Sequence, residues 1–126
     1  MNANGVIIKP SPYSVKETID RLEAFLQQHG VTIYCRIDQQ AELQKAGLNI
    51  PPLEFIMFGN PKAGGPIMIE NPVTALDLPL KVIAWEDNSK NVYVAYNDGS
   101  YIEERFTLAH DANSPLNLDN LISMAL

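Results

Sequence analysis

Leu53-Glu54-Phe55-Ile56-Met57-Phe58-Gly59-Asn60-Pro61-Lys62-Ala63-Gly64-Gly65 is the stretch on which the fold turns. Pro51 and Pro52 force an extended approach to it, because a residue followed by proline is pushed out of the helical region. Leu53–Phe58 is apolar on both faces of a pleated strand apart from Glu54, which places it centrally in a sheet. Gly59–Gly65 then reads as a loop, and Pro66 as the first residue of a short helix over Ile67–Asn71, where its missing amide costs nothing.

Working outward, Gly5–Lys9 is a β-branched run that stops at Pro10 and Pro12 and reads as a first strand. Ser14-Val15-Lys16-Glu17 has the spacing of a capping box, in which the Ser14 hydroxyl accepts from the Glu17 amide and the Glu17 carboxylate returns to the Ser14 amide. Val15, Ile19, Leu22, Phe25 and Leu26 follow at helical spacing, and Gly30 supplies the left-handed stop. Val31–Ile37 alternates, with Val31, Ile33, Cys35 and Ile37 on one face and Thr32, Tyr34 and Arg36 on the other. Asp38 caps a short helix over Gln39–Ala46 that ends at Gly47. Leu80–Glu86 and Asn91–Asn97 are two further strands joined by a polar turn at Asp87–Lys90. Tyr101–Leu108 reads as a helix, although its pattern also suits a strand, and Pro115–Leu126 as a closing helix.

The predicted fold class is therefore α+β. Its order is β-α-β-(short α)-β-β-β-α, with helices packed on one face of a mostly antiparallel sheet. At 126 residues with 46% hydrophobic composition, the chain is expected to form a single domain with one continuous core. Nine basic residues stand against fifteen acidic ones, a balance that argues against a phosphate-backbone partner and so against nucleic acid. Residues 1–14 carry no basic start and apolar run of signal length, and no stretch approaches membrane-spanning length. With the single cysteine, Cys35, this makes a cytoplasmic location the expectation. On the apolar face of its strand, Cys35 reads as a buried thiol rather than a nucleophile.

Candidate chemistry clusters around the opening stretch. A charged carboxylate buried in an apolar strand costs several kcal/mol without partners. Glu54 must then sit at a rim, pair with Arg36, Lys62 or Lys81, or stay neutral. It is the candidate general acid/base, with a structural ion pair as the plainer explanation. The Gly59–Gly65 amides with Lys62 suit an anionic ligand, although Gly and Pro also turn a chain sharply without one. The spacing from Gly59 to Gly64 is that of a phosphate-binding loop, but Gly65-Pro66 stands where Lys-Ser/Thr is required. Trp85, Tyr93 and Tyr96 offer an aromatic wall or ordinary cross-strand packing. Asn97-Asp98-Gly99 is turn chemistry before it is a ligand site. His29 suits the last turn of its helix, and His110-Asp111 reads as a surface loop or a His–carboxylate pair. No spacing of His or Cys calls for a metal, and no cofactor motif is present.

Phe58-Gly59-Asn60-Pro61-Lys62-Ala63-Gly64, Ala75-Leu76-Asp77-Leu78-Pro79-Leu80-Lys81, Trp85-Glu86-Asp87 and Tyr96-Asn97-Asp98 together resemble the bacterial domain-of-unknown-function family 302 over nearly the whole chain. The resemblance implies a fold related to that of the TATA-binding protein, and homodimers, but no activity. Fold kinship does not imply DNA binding. Members often carry a histidine after the aspartate that ends the second strand, where this chain has Gln39 after Asp38.

These readings make the chain a small ligand-binding module, a homodimer, with a pocket at the strand exit formed by Glu54, Asn60, Lys62 and Gly64 and walled by Trp85, Tyr96 and Asn97. The alternatives are an enzyme in which Glu54 is the general acid/base and Lys62 stabilises an anion, and a structural dimerisation domain.

Overall fold

A computed structural model describes residues 4–111 and 114–126, so the reading of residues 1–3 as free of a targeting start lies outside the described residues. Strands β1 (Val6–Ser11), β2 (Thr32–Asp38) and β3 (Leu53–Gly59) are each followed by a helix, α1 (Val15–Gln28), α2 (Gln39–Lys45) and α3 (Pro61–Glu70); strands β4 (Leu80–Glu86) and β5 (Val92–Asn97) then come in succession, before helices α4 (Gly99–Arg105) and α5 (Asp119–Ala125). The five strands form one sheet in the order β1-β5-β4-β3-β2, with every neighbouring pair antiparallel. The α+β class and the antiparallel sheet are as expected, and β3 lies inside the sheet between β4 and β2.

The first helix forms where the sequence puts it. Ser14 caps α1 by accepting from the Glu17 amide at 3.1 Å, and Gly30 closes the turn beyond it at φ +70°. The Glu17 carboxylate does not complete the box; it lies 3.9 Å from Arg21 Nε, one helical turn on. Val15, Ile19, Leu22 and Leu26 form the buried stripe of α1. They pack with Ile102 and Phe106 from α4 and Ile122 and Ala125 from α5 against Ile56, Phe58, Val82, Ala84, Val94 and Tyr96 of the sheet. That is the core, and it covers one face.

The pleat sends the alternate residues of the same strands to the other side. Ile8, Phe55, Ile83, Trp85, Tyr93 and Ala95 lie there in register, through the pairs Ile8–Ala95, Phe55–Ile83, Ile83–Ala95 and Trp85–Tyr93. None of them belongs to the core cluster.

Four local expectations are corrected. The first strand runs through Pro10 to Ser11, because β1 is an edge strand and needs no donor on its outer side. In β2 the register slips between Ile33 and Cys35, a bulge that breaks the alternation. Arg36 therefore joins the helix-covered face opposite Ile56, and Cys35 pairs with Met57 on the other face instead of lying in the core. The third helix starts at Pro61 rather than Pro66, since Asn60 accepts from the Lys62 amide as N-cap and Pro61 takes the first helical position. Pro66 lies inside the helix. The last helix covers only Asp119–Ala125, because Pro115 sits in a turn closed by the Asn117 amide on the Ser114 carbonyl. The segment Tyr101–Leu108 resolves as helix, over Gly99–Arg105 with Asp98 as N-cap.

Gly99 ties α4 to the chain before α5. A Cβ at this position would lie 2.9 Å from the Leu116 carbonyl oxygen and 3.1 Å from the Asn117 nitrogen, both backbone atoms. Gly99→Ala should therefore lose about 1–3 kcal/mol of stability by overpacking, read as a lower urea midpoint with an unchanged slope.

Candidate functional site

Glu54 meets its partner across the strand pair. Arg36 donates from Nε to Glu54 Oε1 at 3.1 Å, and its Nη1 reaches Asp20 Oδ1 at 2.7 Å and Glu23 Oε2 at 3.1 Å on α1. One guanidinium therefore clamps three carboxylates between helix and sheet. The bulge in β2 makes this possible by turning Arg36 toward α1. Burial pulls the Arg36 pKa down, but the hydrogen bonds to Asp20, Glu23 and Glu54 outweigh it and leave the pKa raised. The same contact with Arg36, helped by Lys16 at 3.0 Å, holds the Asp20 carboxyl below its ordinary value.

Glu54 lies near the start of β3, and Asn60 and Lys62 lie beyond its end. Five residues of extended strand separate Glu54 from Gly59 by about 17 Å. The pocket anticipated from Glu54, Asn60 and Lys62 is therefore split between opposite ends of one strand. At the far end, the Lys62 amide donates to Asn60 Oδ1, and the Ala63 and Gly64 amides donate to the Asn60 carbonyl at 2.9 and 2.8 Å. These amides are occupied within the first turn of α3. Asn60 and Gly64 line a small hollow of about 100 Å³ with Tyr34 and Pro79. Lys62 is exposed.

The expected aromatic wall also divides. Tyr93 and Tyr96 are three residues apart on one strand and so face opposite ways. Trp85 and Tyr93 pair with ring centroids 5.6 Å apart on the face away from the core. Tyr96 is buried on the core face and donates from its hydroxyl to Asp119 Oδ1 at 2.6 Å. Burial first, and that hydrogen bond second, raise the Tyr96 pKa.

An open concavity among the described residues lies on the face opposite α1, α4 and α5. It holds about 430 Å³. Its floor is Val6, Ile8, Ile83 and Ala95, and the segment Ile50–Leu53 and Trp85 rise beside it. This volume suits an organic ligand, for which 300–1,000 Å³ is usual, whereas the hollow at Asn60 does not. Asn97 borders an adjoining 190 Å³ depression with Lys81, Met57 and Asp77, and pairs across the strands with the cavity residue Val6. Sequence reasoning named Trp85 but missed Ile8, Ile83 and Ala95. The available signal was the apolar character of Leu80–Trp85 on both faces apart from Lys81, which a single layer of helices cannot cover.

His110 takes a different carboxylate from the one next to it in sequence. Its Nδ1 lies 3.0 Å from Glu103 Oε1, and Glu103 Oε2 accepts from the Asp111 amide at 2.9 Å. His29, at the C-cap of α1, contacts the Phe25 carbonyl through Nδ1 at 2.8 Å and stacks on the Phe25 ring. Among the described residues no group of three His, Cys, Asp or Glu is arranged to hold a metal ion. No described helix is long and apolar enough to cross a membrane.

Comparison with known proteins agrees with this architecture. The family model described as "Domain of unknown function DUF302" matches residues 7–123. A protein named fluoride-specific ion channel FluC 1, from Brucella suis biovar 1 (strain 1330), is 38% identical over 105 residues, which are 83% of this chain and 41% of that one. A protein of the same name from Brucella abortus biovar 1 (strain 9-941) is 38% identical over 105 residues, 83% of this chain and 39% of its own. This chain thus spans about two-fifths of the length of these curated relatives. The crystal structure of an uncharacterized conserved DUF302 protein from Bacillus stearothermophilus superposes with a TM-score of 0.73 at 19% identity, covering 98% of this chain and 88% of that one. At that identity the likeness is one of fold.

The Arg36 clamp makes stability depend on pH. Asp20 has a folded pKa below its ordinary value of 3.8, so its contribution is present above that value and is lost as pH falls through the folded pKa. Arg36→Met should cost about 2 kcal/mol at neutral pH, since it leaves the buried Glu54 carboxylate without its cation while water still reaches Asp20. In urea titrations from pH 7 to pH 2, the gap between wild type and Arg36→Met should narrow once the pH drops below about 4.

Proposed function

Because this chain belongs to the family of DUF302 domains, we propose from its geometry that it is a small-molecule-binding module whose ligand occupies the 430 Å³ cavity on the sheet face away from the core. The observation that carries the reading is the cavity itself. It joins ligand-scale volume to a lining that is apolar apart from Glu86, on strands backed by the core. Apolar lining with few polar groups is the usual make-up of a small-molecule site. Binding is favoured over catalysis because Glu54, the candidate acid/base, is held in the Arg36 clamp and does not line this cavity. In the Brucella relatives, the same reading makes the matched segment a ligand-binding unit within a longer chain. The lone Cys35 suits a reducing, cytoplasmic setting.

Trp85 is the only tryptophan of the chain and borders the cavity, so it serves as the reporter. The neutral fluorophore N-phenyl-1-naphthylamine should bind with a gain in its own emission and a matching loss from Trp85. Ala95→Phe, which fills the floor, should abolish both changes, as should Ile83→Asp. Saturable binding that both variants leave intact would place the ligand elsewhere and overturn the reading.

A further inference from the structure

Lys81 sits on the same sheet face as the cavity, two residues before Ile83 on β4. Its ammonium lies 4.4 Å from the centroid of the Phe55 ring, and Phe55 is the cross-strand partner of the cavity residue Ile83. The side chain is thus laid over the apolar floor beside the cavity. Lys81 takes part in none of the ion pairs formed among the described residues. Asn97 borders the same depression as Lys81 and pairs with Val6, itself a cavity residue, so its amide brings hydrogen-bond donors to this end. From Lys81 to Trp85 the strand covers about 13 Å. Between these ends the face is apolar: Phe55, Ile83 and Ala95 in one row across the sheet, with Ile8 beyond.

We infer that the ligand of this face is an anionic amphiphile, a carboxylic acid with an apolar chain or ring, whose carboxylate lies at Lys81 and Asn97 and whose body fills the cavity toward Trp85. The inference rests on the cavity reading and adds the chemical class of its ligand. Charge complementarity selects this occupant. A neutral apolar molecule gains nothing from the ammonium, and an inorganic anion leaves the apolar floor in contact with water. The ammonium is exposed, so its pairing with a carboxylate is a modest and salt-sensitive term.

Decanoate and decan-1-ol, titrated against the intact chain with Trp85 emission as the readout, separate the two claims. Decanoate should bind roughly two- to fivefold more tightly than the alcohol at low ionic strength, the range of a solvent-exposed ion pair. That preference should shrink in high salt, vanish in Lys81→Met and return in Lys81→Arg, with unchanged circular dichroism in both variants. Equal affinities in the wild type, or a preference that survives Lys81→Met, would overturn the carboxylate inference and leave the cavity reading standing. Failure of both molecules to bind would overturn both. A concentration-dependent dimer by light scattering, dissociated by Ile83→Asp, would assign the face to a second copy of the chain and likewise overturn the inference.

Discussion

Successive side chains of a strand point to opposite sides, and β3 and β4 are largely apolar on both, apart from Glu54 on one and Lys81 on the other. Each side must be kept from water by something. Helices α1, α4 and α5 do this for one side, with Ile19, Leu22 and Leu26 fully buried against Ile56 and Val82. On the other side Ile83, Trp85 and Ala95 line the cavity with the segment Ile50–Leu53 at its border. The imbalance between two apolar faces and one full covering layer governs what remains of the structure. It fixes the helices on the core side and leaves a concave apolar floor on the other.

The Arg36 clamp is the second consequence of how the layers meet. Removing a carboxylate from water is costly, and Glu54 is nearly buried at the border of the helix layer. One guanidinium answers it while also binding Asp20 and Glu23, so the ion cluster joins β2, β3 and α1. Its role is to dock the helix on the sheet. The lone carboxylate in an apolar strand is thus one of three on a single guanidinium.

Much of this was legible in the residues. The Ser14 cap, the apolar stripe from Val15 to Leu26 and the Gly30 stop define α1 through local chemistry alone, and the strands of the sheet follow from their runs of apolar residues. The need of Glu54 for a cation, with Arg36 among the candidates, was also readable. What escaped was set by long-range geometry. The slip at Ile33/Cys35 moves Arg36 and Cys35 across the sheet, and no local pattern announces it. Asn60-Pro61 outcompetes Gly65-Pro66 as a helix start because a side-chain cap adds to a favourable proline position. The cavity was hidden for a different reason. Its residues come from four strands and a connecting segment, which only the folded sheet brings together.

The two outer strands of the sheet have a bearing on how this chain meets its neighbours. An unpaired strand invites another molecule to extend the sheet by backbone hydrogen bonding, the route that leads to fibrils. On β1, Pro10 withholds one amide donor, and on β2 the irregularity at Ile33/Cys35 breaks the regular ladder that an incoming strand would need. Growth of the sheet sideways is thereby discouraged at both margins. The sheet face away from α1, α4 and α5 carries no such restriction, and there side chains rather than backbone meet whatever lies outside.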